Sequence, residues 1–160
     1  MIYLDLDGVF ADFFGMMHSL GLDYHKDPKA AWAVAEKIPN FFATLPMIEG
    51  ADQLFRHIKV MANKSGHEIT FLTALPLLTE ELRTAAADKK YWVQRVLHTS
   101  KRVVCVSHWS EKSAYANGPD SILIDNSAHN IIDWCRHGGV GIVHHNSYNT
   151  IKTLELILAA

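Results

Sequence analysis

Asp5 and Asp7 stand two positions apart at the end of an apolar run, residues 2–6, and are followed at once by Gly8 and Val9. The run reads as a buried strand. Such a strand has no structural use for two acids at its tip, because burying unpaired charge is costly. Residues two apart on a strand point to the same side, so both carboxylates can converge on one point. A glycine beside them lets the backbone turn sharply and approach a ligand closely. The combination suits a metal ion and a phosphate. Taken alone, Asp7-Gly8 is equally a turn or a helix cap, so its meaning rests on what the remaining chain brings to it.

The remaining chain brings polar residues to three more strand ends. Thr73 and Ala74 follow a predicted strand at 68–72, Lys112 lies in a polar loop after a strand at 102–106, and Asp125-Asn126 follow a strand at 121–124. In parallel α/β sheets, ligands bind beyond the carboxyl ends of the strands. Acids gathered there repel one another unless a cation lies between them, and oxygen ligands select a hard ion such as Mg²⁺. A lysine offsets phosphate charge and a threonine hydroxyl donates to a phosphate oxygen. The chain has no Walker-type Gly-rich Lys-Ser/Thr loop, the usual cradle for a nucleoside triphosphate. A carboxylate nucleophile that forms an aspartyl-phosphate is the economical reading. Lys90, Lys101 and Arg102 are alternatives to Lys112 for the cation.

The elements that must position these groups follow from periodicity. Helical spacing of apolar residues predicts helices over 10–20, 28–36, 51–65, 79–97, 128–137 and 150–159. Asp27-Pro28 and Gly138-Gly139 supply start and stop signals for two of them. A fifth short strand is expected at 140–143. Continuous apolar strands alternating with helices predict an α/β class domain, a Rossmann-like, mainly parallel five-stranded sheet flanked by helices. Residues 13–48 are too many for a simple crossover. Part of this segment is expected to form a small helical cap over the site, within a single domain spanning 1–160.

Composition narrows the partners. The net charge is −2 with histidines neutral and no basic run stands out, so a stable nucleic-acid complex is not expected. No run approaches the ~20 apolar residues of a membrane span, and a cytoplasmic location is expected. Cys105 and Cys135 are read as small core residues in a reducing compartment. Trp32, Phe41 and Phe42 can stack on a nucleobase or form the cap's own core. His144-His145 reads as a loop pair, not a zinc site. Asp12 and Asp133 are placed on helices, with Asp133 a possible buttress for Asp125-Asn126.

With these residues in order, the chain resembles haloacid-dehalogenase-superfamily phosphatases, whose first motif is Asp-x-Asp-Gly-Val/Thr. The matching stretches are Asp5-Leu-Asp7-Gly8-Val9, Phe71-Leu-Thr73, Lys112 and Ile124-Asp125-Asn126. The Phe41-Phe42 segment, Thr73-Ala-Leu-Pro76 and residues 124–130 more narrowly resemble 5′(3′)-deoxyribonucleotidase-like proteins of bacteria and phages. The resemblance implies that Asp5 is the nucleophile and Asp7 the general acid and base. It implies that Gly8, Thr73, Ala74 and Lys112 bind phosphate, and that Asp5, Asp7, Asp125 and Asn126 hold Mg²⁺. The expected reaction is hydrolysis of a deoxynucleoside 5′-monophosphate. Another small metabolite, or a nucleic-acid 3′-phosphate end, is the alternative substrate, and a weakly catalytic phosphate-binding module the alternative function. Many relatives carry a second acid where this chain has Asn126. An amide oxygen can coordinate Mg²⁺ but brings no charge, so either Asp125 takes over or metal affinity falls.

Overall fold

Five short strands run parallel in the computed structural model, which describes residues 1–77 and 79–159. They are β1 (Ile2–Leu4), β2 (Ile69–Ala74), β3 (Arg102–Val106), β4 (Ile122–Asp125) and β5 (Val140–Val143), in the spatial order β3-β2-β1-β4-β5. β1 pairs with β2 through Leu4↔Phe71 and with β4 through Leu4↔Ile124. The chain therefore leaves β1 in one direction to build β2 and β3, then crosses to the other side for β4 and β5. That reversal makes the carboxyl end of β1 the topological switch point, where α/β sheets bind ligands.

The α/β parallel sheet flanked by helices is as expected from the periodicity. The helices are α1 (Phe13–Ser19), α2 (Pro28–Ala35), α3 (Ala51–Ser65), α4 (Ala85–Val96), α5 (Ala128–Arg136) and α6 (Ser147–Ala159), with 3-10 helices at Phe41–Thr44 and Trp109–Tyr115. Side chains alternate across a strand, and two apolar clusters follow. One face carries Ile2, Leu4, Ile69, Phe71, Ile122 and Ile124 and packs against residues from α1 to α4 and α6. The other carries Tyr3, Leu72 and Leu123 and packs mainly on Ile131 and Trp134 of α5. Among the described residues, no helix is long and apolar enough to cross a membrane.

Several boundaries differ from expectation for local reasons. α1 starts at Phe13, not residue 10, because the amides of Val9, Phe10 and Ala11 all turn back onto the Leu6 carbonyl, at 3.3, 2.9 and 3.0 Å. Asp12 then caps α1 by accepting from Gly15 N–H at 2.9 Å. β2 runs two residues further than expected, so Thr73 and Ala74 lie within the strand. α4 begins at Ala85, with the turns before it closed by Ala85 N–H on Leu82 O at 3.0 Å. Residues 109–115 form a 3-10 helix where a loop was expected. Cys105 lies half-buried on β3, but Cys135 on α5 is exposed and so is not the core residue expected. His144 is buried and shares a 2.8 Å hydrogen bond with Thr150 Oγ1.

Candidate active site

Strand alternation sorts the polar residues at the switch point onto opposite faces of the sheet. Asp5 and Asp125 fall on the face of Tyr3 and Leu123, whereas Thr73 falls on the face of Ile69 and Phe71. Each face supplies one buried lysine.

On the first face, Lys112 projects from the 3-10 helix Trp109–Tyr115 and is 3 % exposed. Its ammonium donates to Asp5 Oδ1 at 2.7 Å and to Asp125 Oδ2 at 2.7 Å. Asp125 is fully buried and otherwise occupied. Its Oδ1 accepts from Ser127 N–H at 2.8 Å, and its Oδ2 also accepts from Asn130 Nδ2 at 2.9 Å. Burial, then the neighbouring Asp125 charge, pushes the Asp5 carboxyl up to about 7, against the pull of Lys112. Burial also works against the Lys112 ammonium, but Asp5 and Asp125 outweigh it and hold its pKa above the ordinary lysine value. A cation beside Asp5 would favour its ionised form.

On the second face, Lys89 of α4 is 1 % exposed and donates to Asp7 Oδ2, to Thr73 Oγ1 at 3.0 Å and to the Ala74 carbonyl at 2.8 Å. Its ammonium also sits 4.6 Å from the ring centre of Phe42. The neighbouring positions of α4 hold the same aromatic segment. Asp88 Oδ1 accepts from Asn40 Nδ2 at 3.0 Å, and Trp92 Nε1 donates to the Leu45 carbonyl at 2.7 Å.

Beside the Lys89 group lies a cleft of about 210 Å³ lined by Asp7, Lys89, Ala74, Trp32, Phe42 and Trp109, with further aromatic wall from Phe13, Phe14 and Tyr24. Phe41 is not part of this lining; it packs on Phe13 with ring centres 6.0 Å apart, as a core residue. Gly8 has φ of +83°, and a Cβ there would lie 2.3 Å from Asn126 Nδ2. The loop after β1 can therefore press against Asn126 only because residue 8 is glycine.

Among the described residues, no three His, Cys, Asp or Glu side chains form a metal cluster. The donor set at Asp5 nevertheless suits a hard ion that keeps much of its water. Asp5 hydrogen-bonds through one oxygen only, and the Asn126 side-chain amide lies against Gly8, its nitrogen nearest. Mg²⁺ is commonly held by only one or two carboxylates, with water and phosphate completing its shell. Both Asp125 oxygens already accept hydrogen bonds, so Asp125 fits better as the partner of Lys112 than as a direct ligand.

Lys89, Asn130 and Trp109 are not among the site residues expected from the sequence. Lys89 had a signal: it lies four residues after buried Ala85 and four before buried Val93, inside the apolar stripe of α4. A lysine on the inward face of a helix needs buried acceptors. Asn130, not Asp133, buttresses the fourth strand end. Asp133 instead lies 3.8 Å from His137 on the same helix.

No protein-family model matches the chain. No curated protein matches it either. Solved structures do. A haloacid-dehalogenase-superfamily hydrolase from Ehrlichia chaffeensis aligns over 98 % of this chain and 96 % of its own, with a TM-score of 0.54 and 11 % identity. A hydrolase from Streptococcus pneumoniae aligns over 96 % and 97 %, with a TM-score of 0.54 and 12 % identity. The chain thus has the fold of a haloacid-dehalogenase-superfamily hydrolase over nearly its whole length.

Proposed function

We propose that this protein is a Mg²⁺-dependent phosphomonoesterase that works through an aspartyl-phosphate on a deoxynucleoside 5′-monophosphate. The observation that carries this reading is the position of Asp7. It follows Asp5 at the end of β1 and also forms part of the wall of an aromatic cleft. A phosphate held at Asp5 would therefore project its leaving group past Asp7 toward rings that can stack on a planar base.

Asp5 attacks phosphorus as the bond to the leaving oxygen breaks, and Asp7 gives that oxygen its proton. Water then attacks the phosphorus of the aspartyl-phosphate, the bond to Asp5 breaks, and Asp7 recovers a proton from the water. Lys112 offsets charge beside Asp5, Thr73 offers its hydroxyl to a phosphoryl oxygen, and the Gly8 and Ala74 backbone lies close by. Asp5, Asp7 and Asn126 would hold the cation, with Asp125 acting through its charge and its grip on Lys112. When bound, Mg²⁺ supplies positive charge to the phosphoryl oxygens and keeps Asp5 ionised.

The test is phosphate release from nucleoside monophosphates and sugar phosphates, with Mg²⁺ and with chelator, by the wild-type protein and by Asp5→Asn. The expected result is Mg²⁺-dependent turnover that favours nucleotides and is lost in the variant while its melting profile remains cooperative. Full activity in Asp5→Asn would exclude the aspartyl-phosphate. Equal rates on sugar phosphates and nucleotides would exclude the nucleotidase assignment, and binding without turnover would leave a phosphate-binding module.

A further inference from the structure

We propose that the free edge of β3 is an interface at which two copies of this chain join, each adding its β3 to the other's sheet as an antiparallel strand. β3 is the last strand of the sheet on its side and pairs only with β2. The Val106 carbonyl accepts from Leu75 N–H at 2.8 Å, so Val106 turns its backbone polar groups toward β2. Alternation along the strand turns those of Arg102 and Val104 the same way, and those of Val103 and Cys105 outward. Among the described residues, no backbone group bonds these outward amides and carbonyls.

An edge of this kind templates pairing with another chain, and proteins blunt it with charge, proline, bulges or very short strands. The opposite edge, β5, is four residues long and contains Gly141. β3 has less protection: Val103, Val104 and Cys105 are half-buried apolar residues in succession, and its only charge, Arg102, is at the start. Charge selects the occupant. Lys101 and Arg102 are exposed at the start of the strand. Glu111, also exposed, stands at its end, where Oε2 accepts from Ser107 N–H at 3.0 Å. Among the described residues, none of these three has an ion-pair partner. An antiparallel copy brings its own Lys101 and Arg102 to this Glu111, and a two-fold axis makes the same match at the other end. A parallel copy would set the basic ends side by side. The edge is complementary to itself, which makes a second copy its occupant.

A two-fold axis at Val104 gives the fullest pairing. Val103 then exchanges N–H and C=O bonds with Cys105 of the other copy, on either side of the axis. The two Val104 residues face each other as a non-hydrogen-bonded pair, their Cα atoms about 4.5 Å apart. Their side chains meet on the α5 face, where each packs on the cluster around Leu72 and Val106 and is only half-buried. On the α4 face, Val103 of one copy packs on Cys105 of the other. Glu111 closes the ladder at each end by occupying Ser107 N–H.

Sedimentation of the full chain over a range of concentrations is expected to show a monomer–dimer equilibrium. Val103→Pro removes an outward N–H and no bond to β2. Each copy then loses one bond to the other, and the dimer dissociation constant is expected to rise about tenfold or more. Glu111→Lys sets basic groups against basic groups and is expected to weaken the dimer as well. Adding Lys101→Glu and Arg102→Glu to the same chain is expected to restore it, a rescue that a folding defect would not show. In a chain carrying Cys105→Ser and Cys135→Ser, Val104→Cys is expected to form an intermolecular disulfide on mild oxidation, because about 4.5 Å lies within the span of that bond. Thr153→Cys, exposed on α6, is the control and should remain uncrosslinked. A monomer at every concentration would overturn the proposal and leave the edge to a strand of another protein. A dimer that persists unchanged in Val103→Pro and Glu111→Lys, or that Val104→Cys does not crosslink, would also overturn it, since a different surface would then hold the copies together.

Discussion

The two faces of the sheet each bring one buried lysine to one of the two aspartates, and they do so by different means. On the α5 face, Lys112 stands between two carboxylates that are themselves nearly or fully buried. On the α4 face, Lys89 meets one carboxylate, one hydroxyl and one carbonyl, beneath an aromatic ring at the edge of a cleft. The first arrangement neutralises charge: without it, Asp5 and Asp125 would face each other in a low-dielectric interior. The second ties elements together, because α4 supplies the lysine and the turn after β1 and the end of β2 supply its acceptors. A buried ammonium is thus not one device but two, and its acceptors decide which.

Removing Lys112 is the harshest way to break the comparison. Lys112→Met leaves two buried carboxylates without their cation, and breaking such a pair typically costs about 3–5 kcal/mol. The same change deprives Asp5, the proposed nucleophile, of its buried cation, with an expected loss of about 1,000-fold or more in kcat/KM on every substrate. Denaturant unfolding and a two-substrate assay measure both effects. Lys89→Met strands a single carboxylate that is 24 % exposed and keeps access to water, so its loss of stability is expected to be the smaller of the two. If Lys89→Met proves the more destabilising change, the two roles are assigned the wrong way round.

The two faces were also unequally legible in the sequence. Asp5, Asp7, Thr73, Lys112, Asp125 and Asn126 each lie at or just beyond a strand end, and strand ends can be read from short apolar runs. The parallel α/β architecture followed from the same runs. Lys89 is 16 residues from Thr73 and 82 from Asp7, and only the packing of α4 brings it to them. Its sole local mark is a charge inside an apolar helical stripe, a mark Asp88 shares while holding Asn40 instead. Phe41 and Phe42 are adjacent, chemically identical and both buried in the core, yet only Phe42 also lines the cleft, a distinction the 3-10 turn makes and composition does not.

The aromatic wall on the Lys89 side gives a smaller, more selective test. Trp32 lies with its ring centre 6.4 Å from that of Phe42 and 5.4 Å from that of Phe13, and lines the cleft. Stacking on a base contributes about 1–3 kcal/mol. Trp32→Ala is therefore expected to raise KM for a nucleotide by about tenfold or more and to leave KM for a sugar phosphate nearly unchanged. An equal rise for both would mean that Trp32 supports the fold and not a base, and a melting curve on the same variant would register that role.

Asn126 offers the mildest change. Its side chain lies against Gly8, amide nitrogen nearest, directly after Asp125 in the chain, and it brings no charge. Asn126→Asp keeps the size and adds a carboxylate beside Asp125. Without a cation the added charge repels its neighbours and the melting temperature should fall in chelator; with Mg²⁺ it becomes a ligand and the metal concentration for half-maximal activity should fall several-fold. The opposite signs in the two conditions are the useful feature, since a simple packing defect lowers stability in both. An unchanged metal requirement would remove Asn126 from the cation's shell, leaving Asp5 and Asp7 to hold it.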